Sequence, residues 1–214
     1  SRATILRSRI RCCRTSGRRQ PLTEPDPARH AHMPRYVVLL RGVNVGKGHR
    51  VPMAEFRQLL EALGCTDVKT LLNSGNAVFA SPARSGTRLA AGIAAELERR
   101  LGVVTPVVVK SAAELARVID EAPMRPADGE QSRFLVVFGP DEPALQALVP
   151  LQDLAAGTER FVVTRHAAYL HCPDGILGSR VGEALLGKAG RAVTTRNWAT
   201  VLKLAAGPGA GAGA

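Results

Sequence analysis

Two short segments hold the residue types best suited to chemistry. LLRGVNVGKGHRVPM (39 to 53) carries Arg41, Asn44, Lys47, His49 and Arg50 among glycines at 42, 46 and 48. NSGN (73 to 76) supplies Asn73, Ser74 and Asn76 beside Gly75. Cations, amides, a hydroxyl and a permissive backbone are what holding an oxyanion requires. A third segment, TTRNW, adds Arg196, Asn197 and Trp198. The opening segment is not a Walker loop. Gly42 to Lys47 is one residue short of G-x-x-x-x-G-K, and Gly48 stands where a magnesium-binding Ser or Thr belongs. It does not match G-x-G-x-x-G either. Taken alone, the glycines could serve only to turn the chain, and Asn-Gly chemistry favours tight turns without any ligand.

Other chemistries find little support. There is no Gly-x-Ser-x-Gly elbow, no His-Glu-x-x-His and no Cys-x-x-Cys. Catalytic residues, a cofactor and a metal site are therefore not assigned. Cys65 and Cys172 stand alone in the sequence, which fits a reduced, cytoplasmic protein. No apolar run is long enough to cross a membrane as a helix, so no membrane partner is expected.

The elements that must position these residues follow from periodicity. RYVVLL (35 to 40) reads as a strand, and Pro52 suits the first turn of a helix. Phe56, Leu59, Leu60 and Leu63 recur at helical spacing, and Gly64 ends that helix. Strands are expected over 67 to 72 and 77 to 80, joined through the Ser74-Gly75 turn. Leu89, Ile93, Leu97 and Leu101 mark a second helix closed by Gly102, and 105 to 109 forms a fourth strand. This β-α-β-β-α-β order is the split βαβ, or ferredoxin-like, pattern. Ser111 and Glu114 then form a capping box for a further helix.

After a Pro-rich break the order repeats. Strands are expected over 133 to 138, 160 to 164 and 167 to 171, with helices from Asp141 and from about Ser179. This second copy lacks an evident final strand, and Thr195 is read as capping a last helix, with Arg196 and Asn197 in its first turn. The fold class is α+β: two tandem ferredoxin-like subdomains with antiparallel sheets, plus a C-terminal helix. The organisation reads as a leader at 1–33, a first subdomain with its following helix at 34–120, a linker at 121–132, a second subdomain with the C-terminal helix at 133–206, and a low-complexity tail at 207–214. Residues 1 to 32 hold eight arginines and contribute +6 of the chain's +11, leaving a mildly basic remainder of +5. They read as a non-native or disordered leader before Met33.

In a ferredoxin-like sheet, strand one lies antiparallel to strand three, so the end of strand one meets the turn between strands two and three. Loop 41–50 and turn 73–76 should therefore be neighbours, with the first helix beginning at the same edge and offering its unpaired N–H groups.

YVVLLRGVNVG, VPMAEFRQLLEALG, NSGNAVF and TTRNWATVLKLA occur in order along the chain. On these motifs the chain, from about 34 to 205, resembles the domain-of-unknown-function family 1697, found mostly in bacteria. The resemblance implies two ferredoxin-like halves and no assigned reaction, substrate or cofactor. Ala199 is a departure, because the family usually has Asn after the Trp.

Three functions compete. The first is binding of, or chemistry on, a small anionic ligand, including phosphorylated ones, at 41–50 and 73–76. The second is a nucleic-acid-binding module, for which the aromatics Tyr36, Phe79, Phe134, Phe161 and Tyr169 would have to be exposed on a sheet. The third is an interaction or assembly protein without catalysis, pairing through open strand edges. Oligomeric state is not legible.

Overall fold

The computed structural model describes residues 33–46 and 49–207. Strand β1 (Arg35–Leu40) runs into the glycine-rich loop, and helix α1 (Met53–Ala62) follows. Pro52 is the residue before the helix rather than its first member. Gly64 turns left-handed at φ +80, as a helix stop requires. β2 (Thr66–Leu71) and β3 (Asn76–Ala80) form the hairpin. Helix α2 (Gly86–Leu101) buries Ile93 and Leu97 and ends at left-handed Gly102. β4 (Val107–Ser111) completes a sheet of order β2-β3-β1-β4, with every neighbour antiparallel. Helix α3 (Ala112–Asp120) begins with the full Ser111–Glu114 capping box.

The second sheet is built from β5 (Phe134–Phe138), β6 (Arg160–Val163), β7 (Ala168–His171) and β8 (Thr194–Asn197), in the order β6-β7-β5-β8. Helix α4 (Glu142–Gln146), capped by Asp141, and helix α5 (Arg180–Leu186), capped by Ser179, complete this half. β8 corrects the sequence expectation. TTRN is the missing final strand, paired antiparallel with β5 from Phe138↔Thr194 to Leu135↔Asn197. The open side of β5 supplies backbone partners that the polar tetrapeptide does not advertise by itself. The cap of helix α6 (Trp198–Ala206) is consequently Asn197, whose side chain accepts from the Thr200 N–H, and not Thr195.

Each sheet buries both faces. One face of the first sheet packs Tyr36, Val38, Leu40, Ala77 and Phe79 against Phe56, Leu59, Leu60, Ile93 and Leu97 of α1 and α2. The outer face of the second sheet packs Leu135, Val137 and Leu170 against Val181 and Leu185 of α5. Between them lies a shared core. Val37, Leu39, Val78 and Val108 of the first sheet meet Phe134, Val136, Phe138 and Tyr169 of the second. Leu115 and Val118 of α3, and Trp198, Val201 and Leu204 of α6, fill the same layer. The two halves are joined through apolar contact, not merely strung on a linker. The Tyr169 hydroxyl, buried in this layer, donates to Val118 O at 2.7 Å.

Among the described residues, no helix is long and apolar enough to cross a membrane. The 1–32 leader and the tail from 208 lie outside the described residues.

Candidate functional site

β1 and β3 pair antiparallel as far as Leu39↔Asn76, which brings the glycine-rich loop against the hairpin turn. The Leu40 N–H donates to Gly75 O at 2.8 Å, so the two segments are in direct contact. The turn itself is Leu72–Gly75, one residue earlier than the sequence reading. Asn76 belongs to β3 and is completely buried, with its amide donating to Leu71 O at 3.1 Å.

Gly75 has φ +71, and a Cβ there would stand 2.5 Å from the Val43 methyl and 2.7 Å from Leu40 Cβ. Left-handed strain and contact with the buried Val43 act together at this position. Gly75→Ala is expected to lower unfolding free energy by about 2–3 kcal/mol. Urea denaturation checks this; a loss below about 0.5 kcal/mol would show that the turn repacks freely.

Loop 41–46 is held by Asn44. Its amide donates to Val51 O at 2.8 Å while its Oδ1 accepts from the Val51 N–H at 2.9 Å, a pairing that imitates a strand ladder. Asn44 Nδ2 also approaches Asn73 Oδ1 at 3.5 Å. Gly42, Asn44 and Gly46 are all left-handed, at φ 59, 58 and 52. Lys47 lies outside the described residues.

The two arginines have partners far along the chain. Arg41 Nη1 donates to Gly190 O and Val193 O (2.7 Å), and Nη2 to Leu185 O (3.3 Å) and Leu186 O (3.1 Å). It therefore caps the C-terminal end of α5, where the helix dipole favours a cation. Arg196 is deeper. Its Nε donates to Asn76 Oδ1, its Nη1 to Thr194 Oγ1 (2.8 Å) and Thr195 O (2.7 Å), and its Nη2 to Leu40 O (2.7 Å) and Ser74 O (3.2 Å). All five of its donors are engaged, three of them by acceptors of the first half.

Every one of these acceptors is neutral. Burial alone lowers the Arg41 guanidinium below its usual range and lowers Arg196 to about 10, with no acidic group opposing the shift. Both remain charged at neutral pH. Among the described residues, two cations thus stand at one place without a carboxylate partner.

They line a cavity of about 420 Å³ together with Leu40, Val43, Val45, Ser74, Leu186, Thr194, Thr195, Asn197 and Thr200. Of the residues expected at the site, the structure brings Arg41, Ser74, Arg196 and Asn197 to the cavity wall. Asn44, Asn73 and Asn76 support that wall through the bonds above. Arg196 and Asn197 belong to β8, not to a helix's first turn. Trp198 points elsewhere: it is buried in the shared core, edge-on to Phe134 at 5.3 Å, with Arg125 over its ring at 5.7 Å. The first turn of α1 is not among the residues lining the cavity. Sequence reasoning missed Leu186, Thr194, Thr195 and Thr200. The repeated Thr-Thr of TTRN was the available signal for two of them.

Other reactive groups lie away from this place. Burial pushes up the thiols of Cys65 and Cys172, the latter to about 11, which leaves both as weak nucleophiles. Tyr36, Phe79, Phe134, Phe161 and Tyr169 are all buried, so base stacking on an open sheet has no aromatic to use among them. No group of His, Cys, Asp and Glu among the described residues could hold a metal ion.

Comparisons with known proteins agree with this architecture. A structure described as that of a conserved bacterial protein from Streptococcus pneumoniae superposes with a TM-score of 0.66 at 24% identity, covering 81% of this chain and 98% of the other. That likeness concerns the fold. No curated protein matches. The family model described as protein of unknown function (DUF1697) matches residues 33–169, which take in the glycine-rich loop, the hairpin turn and most of both sheets. The chain belongs to the DUF1697 family.

Proposed function

We propose that this protein binds a small anionic ligand, including phosphorylated ones, in the cavity between loop 41–46, turn 72–75 and β8. The carrying observation is the pair of guanidinium charges, Arg41 and Arg196, that face the cavity with no carboxylate to balance them. An anion there would restore the charge balance that burial normally demands.

The division of labour follows from the bonds already made. Arg196 has no donor left, so it contributes field rather than contact. Direct hydrogen bonds fall to the side chains of Ser74, Thr195 and Asn197 and to the loop backbone. Left-handed residues stand at 42, 44 and 46, but the Asn44 N–H already donates to His49 O at 2.8 Å, so the loop's contribution falls to other backbone N–H groups. The setting proposed is a bacterial cytoplasm, supported by Cys65 and Cys172, both buried and unpaired. The proposal is of binding, with no reaction assigned.

The test is a thermal and calorimetric titration of the full chain with inorganic phosphate and sulfate, against chloride at equal ionic strength. Specific binding is expected to raise stability by about 2.7 kcal/mol when ligand reaches a hundred times its Kd. Thr195→Val and Ser74→Ala together should weaken that response at least about tenfold, the loss of hydrogen bonds to a charged group. Identical curves for chloride and phosphate would defeat the proposal.

A further inference from the structure

The cavity is larger than a bare oxyanion needs, and its lining combines charged with aliphatic side chains. A volume of about 420 Å³ falls in the range of pockets that hold small organic molecules. Leu40 and Val43 line its interior and are buried, whereas Val45 and Leu186 line it while remaining 57% and 51% exposed. Exposed aliphatic side chains are unremarkable when scattered singly. Here two of them, one from each half of the molecule, border the same opening. Leu72, in the adjoining turn, is also 51% exposed and is held left-handed at φ 56, a conformation unusual for a leucine.

Resting on the binding reading above, we propose that the ligand is an amphiphilic organic anion. Its oxyanion head lies in the field of Arg41 and Arg196, and its apolar body covers Val45 and Leu186. Neither arginine has a free fork to clamp a polyphosphate: Arg196 is fully engaged and both terminal nitrogens of Arg41 are occupied. With both forks occupied, the side-chain donors left at the lining are those of Ser74, Thr195 and Asn197, which suit one small oxyanion head better than a polyphosphate. Apolar burial then supplies the remaining affinity. The head is a carboxylate or a phosphate monoester, two chemistries that share this field.

Isothermal titration of the full chain with two homologous series tests the idea. One runs from acetate through butyrate and hexanoate to octanoate; the other compares methyl, butyl and hexyl phosphate. Affinity is expected to rise about fourfold for each methylene that becomes buried, then to level off when the cavity is full. The series that begins from the tighter short member identifies the head group. Val45→Ser and Leu186→Ser should each flatten the rise, and both positions are exposed enough to tolerate serine. Uniform affinity along both series, with short anions still binding, would overturn this inference and leave the anion site standing. Hexanol binding as tightly as hexanoate, or no anion of either series binding, would overturn the anion reading itself.

Discussion

Arg196→Ala is expected to lower the free energy of unfolding by about 4 kcal/mol. The substitution strips Leu40 O, Ser74 O and Asn76 Oδ1 of a donor they share; Leu40 and Asn76 are fully buried, and Leu40 O keeps only a long contact from Thr194 Oγ1 at 3.4 Å. Each buried acceptor left unsatisfied costs about 1–3 kcal/mol, partly offset because the buried charge disappears as well. Lysine does not rescue the position, since three donors on one ammonium cannot reach five acceptors spread around a planar fork. Because burial lowers the folded-state guanidinium to about 10, and the unfolded value is higher, the unfolded chain binds more protons only above that pH. This group would therefore add stability with rising pH only above about 10. The difference between wild type and Arg196→Ala should be flat from pH 6 to 9. Urea denaturation at three pH values checks both statements. A loss under about 1 kcal/mol would mean that water enters and replaces the guanidinium.

Gly190→Ala is expected to cost about 3 kcal/mol or more. An added Cβ would stand 1.8 Å from Leu185 O and 2.6 Å from the Leu185 carbonyl carbon, both backbone atoms at the end of α5. No side chain can rotate away, so the turn from 187 to 193 must move. That turn presents the Gly190 and Val193 carbonyls to Arg41, while Leu185 and Leu186 present the other two. The clash and the arginine thus act on one cluster. The losses from Gly190→Ala and Arg41→Ala should be less than additive in the double variant, by roughly 1–2 kcal/mol. Strict additivity would show that Arg41 and the turn are energetically independent. A Gly190→Ala variant as stable as wild type would refute the steric argument.

The first half was readable from the sequence because its signals are local. Leu89, Ile93 and Leu97 repeat at helical spacing, Ser111 and Glu114 make a capping box, and Gly64 and Gly102 stop helices where they stand. The meeting of loop 41–46 with the hairpin turn followed from topology alone, since strand pairing must bring the end of β1 to that turn. β8 was not readable. Four residues with two threonines, an arginine and an asparagine carry no apolar alternation, and only the vacant side of β5 makes them a strand. The hydrogen-bond partners of the two arginines escaped for a related reason. Arg41 resembles a free loop cation until α5 is placed beside it, and three of the five partners of Arg196 lie 120 to 156 residues away in sequence. Asn76 was read as a turn residue because NSGN has turn chemistry throughout. Trp198 was grouped with the site by proximity in sequence, yet its ring packs in the shared core against Phe134.

The shared core has a bearing on how the chain is made. A polypeptide emerging from its N-terminus presents the whole first sheet while β5 through α6 are still being synthesised. Until then, Val37, Leu39, Val78 and Val108 have only α3 to lie against, and Leu40 O waits for a guanidinium 156 residues downstream. Such long loops delay closure and prolong the life of partly covered states. The last strand and the last helix are thus the keystone of assembly. Termination before Asn197 leaves one apolar layer open on two sheets at once, a species with every physical reason to self-associate.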